Sequence, residues 1–297
     1  MDRLVKVKKP KIAVLLAAYN GIDWVEEQVE SILSQRDVIP ILFISVDLSV
    51  DGTDDWVRNK INDTRSIIML PYGESFGSAA GNFFRLIRDV DFSGFDAVSF
   101  ADQDDIWFPD KLSRAWEKIS VDRIDAYSSN VIAFWKDGNK KIINKAHRQK
   151  KIDYFFESAG PGCTYVFSQK SFLFFRDFVV KNYDYLSVIE FHDWLVYAYF
   201  RSNNMQWFID PRPGMYYRQH DNNKIGANSG CNALIKRWRL VHSKWFRQQV
   251  LLIAQLVAPH RKEELSSRWF LLCNFYELRR HPRDLVFFLF LILLGVY

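Results

Sequence analysis

Two hydrophobic periodicities alternate through the first third of the chain, and that alternation restricts it to α/β architectures with a largely parallel central sheet. "KIAVLLAA", starting at Lys11, is a continuous apolar run, the pattern of a buried strand. Beyond Asn20-Gly21, the residues Val25, Val29, Ile32 and Leu33 recur at helical spacing and predict a helix of about three turns with one apolar stripe. "IPILFISVD" reads as a second strand, "DGTDDWVRN" as a turn into a short helix capped by Thr53 or Asp54, and "SIIML" as a third strand. Phe83, Leu86, Ile87 and Val90 mark the next helix, "FDAVSFAD" the next strand, and Pro109 suits the first turn of the helix that follows.

At 297 residues there is room for one large domain with an appendage. Hydrophobic residues at 48% and aromatics at 16% supply a core, which excludes a disordered chain. Cys163, Cys231 and Cys273 have neither metal-ligand spacing nor an even count, so they read as reduced thiols. The lysines Lys6, Lys8 and Lys9 before "IAVLLAA" imitate a secretion signal, but the apolar run is short and leads into "YNG", as a first strand does. The formal net charge of +5 is unevenly spread: between Arg218 and Arg283, basic residues far outnumber acids, so this region is expected to meet something anionic. The run "LVFFLFLILLGVY", Leu285 to Tyr297, is uncharged yet shorter than the roughly 20 residues of a membrane span. It predicts a helix that dips into one leaflet, or one that packs on the protein.

Ligands of an open parallel sheet bind at the carboxyl ends of its strands. Three polar clusters fall at such ends: "AAYNG", "VDLSVDGT" and "ADQDD". Asp102 and Asp104, one residue apart on extended backbone, point the same way and can converge on one divalent cation. Like charges this close are costly without a cation, and hard oxygen ligands favour Mg²⁺ or Mn²⁺. Further on, "FHDWL" sets Asp193 between His192 and Trp194, where a partly desolvated carboxylate can serve as a base; a helix-start aspartate flanked by packing residues is the plainer reading. "YYRQHDNNKIG" adds Arg218 and His220, with Asn222, Asn223 and Gly226 suggesting a loop.

"AAYNG", "DLSVDGT", "DQDDIWFPDKL", "FHDWL" and "YRQHDNNKIG", in this order, resemble the family 2 glycosyltransferases of GT-A fold, closest to the rhamnosyltransferase branch of bacterial surface polysaccharide synthesis. The similarity runs over roughly residues 10 to 228. It implies a GT-A catalytic domain over 1–230 and a basic, apolar helical extension over 231–297 that meets the membrane surface. It implies that Tyr19 packs on the nucleotide base beside the backbone of Ala17, that Asp47 hydrogen-bonds the pyrimidine, and that Asn82 in "SFGSAAGNF" lies near the nucleotide. Asp104 is then the direct metal ligand with Asp102 and His220 beside it, while Asp102 also reaches the ribose, Asp105 the sugar and Arg218 the diphosphate. Asp193 matches the catalytic base. Where the family's second-strand motif often begins with two acids, Val46 precedes Asp47 here.

The expected activity is therefore inverting, metal-assisted transfer of a sugar from a nucleotide diphosphate sugar, first of all dTDP-L-rhamnose, to a polyprenyl-diphosphate-linked saccharide in O-antigen or related synthesis. The expected location is the cytoplasmic face of the bacterial cell membrane. A UDP-hexose donor is the alternative. A sugar-phosphate nucleotidyltransferase would carry a glycine-rich, arginine-containing loop after the first strand, and a dinucleotide oxidoreductase would carry G-x-G-x-x-G there; "AAYNG" is neither. A sequence pI of 8.9 alone is too unspecific to indicate a nucleic-acid partner, and none is expected.

Overall fold

The computed structural model describes residues 8–220, 244–295 and 297. The first strand, β1 (Lys11–Ala18), sorts its side chains by alternation: Ala13 and Leu15 enter one core, and Ile12, Val14, Leu16 and Ala18 the other. A strand buried on both faces needs a helical layer on each, and the chain supplies them. Helices α1 (Val25–Leu33), α2 (Thr53–Asp63) and α4 (Lys111–Val121) cover one face; α3 (Ala79–Asp89), α5 (Gln169–Lys181) and α6 (His192–Ser202) cover the other. The intervening strands are β2 (Ile39–Val46), β3 (Ile67–Met69), β4 (Ala97–Ala101), β5 (Ile106–Trp107), β6 (Ala126–Ser129), β7 (Val131–Phe134), β8 (Lys140–Ile143), β9 (Val166–Ser168), β10 (Trp207–Asp210) and β11 (Met215–Arg218).

The main sheet is seven-stranded in the order β10-β6-β9-β4-β1-β2-β3. β9 alone runs antiparallel to its neighbours β4 and β6. This reversal matters for the site, because the residues entering β9 arrive at the same edge as those leaving β4. A second sheet, β5-β11-β7-β8, begins directly beyond the acidic turn; β11 pairs with β5, bringing Arg218 back to the acids from over a hundred positions away.

Two local expectations are corrected. The residue before α2 is Gly52, at φ 90°, and the turn is closed by Asp51, whose Oδ1 accepts from Thr53 N at 3.0 Å and Thr53 Oγ1 at 2.6 Å. Neither Thr53 nor Asp54 caps it. Pro109 lies ahead of the helix, since Asp110 is the residue before α4, and its carbonyl accepts from Arg36 N at 2.8 Å.

The C-terminal helices α7 (Trp245–Val257), α8 (Lys262–Ser266), α9 (Arg268–Cys273) and α10 (Pro282–Leu293) share the α3/α5/α6 core. Val250, Ile253 and Ala254 of α7 and Phe288, Leu291 and Ile292 of α10 are buried there. The extension therefore packs on the sheet domain as part of its core. Its expected boundary at residues 230/231, and Asn222, Asn223 and Gly226, lie outside the described residues.

Candidate active site

The carboxyl ends of β1, β2 and β4 share one edge, and hydrogen bonds join the loops that leave them. Asn20, at φ 44°, donates from N to Ser49 Oγ at 3.0 Å and accepts at Oδ1 from Val50 N at 3.0 Å. Gly21 N donates to Thr53 Oγ1 at 2.8 Å, and Ile22 N to Asp51 Oδ2 at 3.0 Å. From the β4 side, Gln103 pairs with the Tyr19 backbone like an added strand: Tyr19 N donates to its Oε1 and its Nε2 donates to Tyr19 O, both at 2.8 Å. A β-carbon at Gly21 would lie 2.2 Å from Gln103 Oε1, so glycine is required for this amide to seat. The result is a rim on which the Tyr19 ring stands 56% exposed, with Ala17 half-buried beside it.

Asp104 then meets a different neighbour from Asp102 and Asp105. Asp104 Oδ2 faces His220 Nε2 at 2.7 Å, and the His220 ring stacks on Trp24 with centroids 4.3 Å apart. Asp102 and Asp105 lie with Cys163, which the antiparallel β9 delivers; one ligand-type atom from each falls within 4.8 Å of the others. Burial pushes the Asp102 carboxyl up to about 7, with the charges of Asp104 and Asp193 adding to it. Burial and the two carboxyls also hold the Cys163 thiol well above its ordinary range, so it stays protonated as a donor toward them. Behind the cluster, Lys111 is fully buried, its Nζ over the Trp107 ring at 3.4 Å and 3.4 Å from Ser99 Oγ. Burial depresses its pKa to about 7.

Asp193 occupies the first turn of α6, near enough to Asp102 for the two charges to act on each other. Its Oδ1 accepts from Trp194 N at 2.8 Å, and burial raises its carboxyl to about 6, opposed by that bond, the Ser158 hydroxyl and Lys145. His192 stacks on Phe83 with centroids 4.0 Å apart, and Trp194 Nε1 donates to Tyr154 O at 3.1 Å, so both flanking residues pack while Asp193 is left half-buried. A β-carbon at Gly162 would meet His192 Nε2 at 2.8 Å and Asp193 Cβ at 3.1 Å. The "SAGPGCTY" turn thus lies against the carboxylate.

An exposed ring, a crowded set of acids with a histidine, and a separate half-buried carboxylate line this edge of the sheet. The sequence profile described as "Glycosyl transferase family 2" matches residues 13–238. The chain belongs to glycosyl transferase family 2. Among family 2 and related proteins, it is 41% identical over 289 residues to the dTDP-rhamnosyl transferase RfbG of Shigella flexneri, covering 95% of this chain and 100% of that one. It is 32% identical over 148 residues to the putative teichuronic acid biosynthesis glycosyltransferase TuaG of Bacillus subtilis, covering 49% of this chain and 56% of that one. In fold it is similar to S. aureus TarS 1-349 in complex with UDP-GlcNAc, with TM-score 0.56 and 14% identity over 93% of this chain and 75% of that one. It is also similar to the mannosyltransferase PcManGT of Pyrobaculum calidifontis in complex with GDP-Man and Mn2+, with TM-score 0.52 and 16% identity over 98% and 82%. The expected GT-A fold, with its mostly parallel sheet and helical C-terminal region, is what the chain adopts, and the protein is a glycosyltransferase.

For this family 2 enzyme the structure brings Tyr19, Ala17, Asp102, Asp104 and His220 to the site edge, with Asp193 near Asp102. It turns three other expected contacts inward and engages a fourth, the half-buried Arg218, with neighbouring acids. Asp47 is 5% exposed, its oxygens accepting from Leu48 N, Phe76 N and Gly77 N at 2.8–3.1 Å. Asn82 donates to the carbonyls of Ala18 and Ser45, tying β1 to β2. Asp105 is fully buried and accepts from Arg218 N at 3.2 Å. The Arg218 guanidinium pairs with Glu27 and donates from Nε to the Asp104 carbonyl at 2.8 Å. Sequence reasoning missed Gln103, Glu27, Cys163 and Lys111 as parts of this frame. Only Gln103 had a signal, lying between two acids of the motif.

Proposed function

We propose that the protein transfers L-rhamnose from dTDP-L-rhamnose, with inversion, to a polyprenyl-diphosphate-linked saccharide in the synthesis of an O-antigen or related polysaccharide. The observation that carries this reading is the 41% identity to a dTDP-rhamnosyl transferase across its whole length. In this reading Tyr19 packs on the thymine and the Ala17 backbone lies beside it. Asp193 takes the proton of the acceptor hydroxyl as that oxygen attacks the anomeric carbon, and the diphosphate departs on the opposite face. Asp47, Asn82 and Asp105, buried in the structure, serve by shaping the rim without a direct nucleotide contact, while Arg218 steadies the Asp104 backbone and pairs with the diphosphate. The test is consumption of a panel of nucleotide sugars with Mn²⁺ present. dTDP-L-rhamnose is expected to exceed UDP-hexoses by about 10-fold or more; preferential use of a UDP-hexose would replace this donor with the alternative.

The acid cluster fits Mg²⁺ or Mn²⁺. Asp104 offers a hard oxygen and His220 an imidazole, and Asp102, raised first by burial and then by the charges of Asp104 and Asp193, adds a carboxylate whose charge a cation would favour. When bound, such an ion neutralises the charge that develops on the leaving diphosphate. Mn²⁺ with dTDP is expected to raise the melting temperature of the wild type, and Asp104→Ala to abolish that increment. An unchanged shift in the variant would move the metal elsewhere.

We also place the protein at the cytoplasmic membrane surface. Among the described residues, no helix is long and apolar enough to cross a membrane. While one face of α10 is buried, Val286, Phe287, Phe290 and Leu293 of the other are exposed, with Trp269 of α9 and the cations Arg268 and Arg283. Apolar residues fringed by positive charge suit an anionic leaflet. Because the buried face supports the core, substitution is a cleaner test than deletion. Phe287→Asp with Phe290→Asp is expected to abolish sedimentation with phosphatidylglycerol vesicles at unchanged melting temperature; sedimentation equal to wild type would remove the membrane from this reading.

A further inference from the structure

We propose that Arg280 is a positioning residue for the acceptor side of the site, holding the turn from Ser158 to Gly162 against Asp193. This rests on the reading of Asp193 as the base. The Arg280 side chain is 1% exposed, and the segment between α9 and α10 delivers it into the sheet domain. Its Nη1 donates to Asp153 Oδ2 at 3.3 Å, its Nη2 to the main-chain carbonyl of Ser158, and its backbone N to Glu157 Oε1 at 2.6 Å.

The turn is gripped from the other side by Tyr165, whose hydroxyl accepts from Ala159 N at 3.1 Å and donates to Gly160 O at 3.0 Å. Gly160, at φ 136°, makes the bend, and Gly162 at its end abuts His192 and Asp193. The Ser158 hydroxyl, donating to Gly160 O at 3.1 Å, lies near enough to Asp193 to favour its charged form. One chain of contacts therefore runs from the C-terminal helices through Arg280 and the turn to the carboxylate. A cation of any shape would neutralise Asp153 and Glu157. Only the fork of a guanidinium also reaches the uncharged Ser158 carbonyl, and that bond fixes the turn.

Lysine at this position keeps the charge and loses the fork. Wild type, Asp193→Asn, Arg280→Lys, Ser158→Ala and the double variant Arg280→Lys/Ser158→Ala are compared for Mn²⁺-dependent hydrolysis of dTDP-L-rhamnose. Melting temperature is measured for each. Arg280→Lys is expected to lower kcat about tenfold with the donor KM within about twofold, because the fault is one of alignment at the base. Ser158→Ala should lower kcat in the same way, and the double variant should lose less than the product of the two. Wild-type kcat in a folded Arg280→Lys, a loss confined to KM, or fully multiplicative effects would each overturn the proposal. If Arg280→Lys does not fold, Ser158→Ala decides: lower kcat at unchanged KM supports the proposal, and wild-type kcat refutes it. Activity in Asp193→Asn equal to wild type, or an inactive wild type, would instead sink the functional reading, and this inference with it.

Discussion

Asp193→Asn is expected to lower sugar transfer by about 10³-fold, the scale of a lost general base, while donor affinity stays within about twofold. The amide keeps the shape and still accepts from Trp194 N, as the carboxylate does at 2.8 Å. It removes only the ability to take a proton. The folded carboxyl, raised to about 6 against an ordinary 3.8, holds its proton more tightly than the unfolded one. Stability from this group is therefore highest at acid pH and is lost as pH rises through that window. Asparagine abolishes that loss, so the variant should melt at or slightly above the wild-type temperature at pH 7. The same elevation dictates the activity profile: the base works unprotonated, so wild-type kcat should be flat at neutral pH and fall as pH drops through about 6. Full transfer by Asp193→Asn in a steady-state assay would disprove the assignment.

Asp153→Ala should give the largest loss of stability, about 3–5 kcal/mol. Asp153 is fully buried, meets Arg280 at 3.3 Å and Arg201 at 3.5 Å, and accepts from Tyr197 OH at 3.2 Å. Burial raises its carboxyl, and the two guanidinia oppose that rise. Removing it leaves the Arg280 charge in the interior with Glu157 at 3.4 Å as its remaining carboxylate, and Arg201 with no carboxylate partner among the described residues. The melting temperature is expected to fall by about 10 °C. A fall within about 2 °C, read by calorimetry, would show that the cluster relaxes around the loss.

The parallel sheet and its motif loops were legible because their signals are local. A strand buried on both faces writes itself as unbroken apolar sequence, and β1 sorts its residues between two cores accordingly. The direction in which a motif side chain points is not local. Asp47 directly follows β2 and Asn82 sits in the first turn of α3, yet their hydrogen bonds go to backbone that no nearby residue reveals. The pairing of Arg218 with Asp105 and Glu27 depends on β11 meeting β5, a strand of two residues too short to leave a pattern. For Leu285 to Tyr297, lack of charge is common to a buried helix and a membrane-facing one. The structure divides the segment, with Phe288, Leu291 and Ile292 inward and Phe287, Phe290 and Leu293 outward.

That shared core sets an order of events during synthesis. Phe156, close to the turn beside Asp193, packs its ring against Phe288 and Tyr297. The sheet strands emerge from the ribosome first, but one wall of their core is missing until α10 has followed. A nascent chain stalled short of α10 would display those apolar surfaces to chaperones and proteases, and a nonsense mutation there would register as low abundance before it registered as altered chemistry.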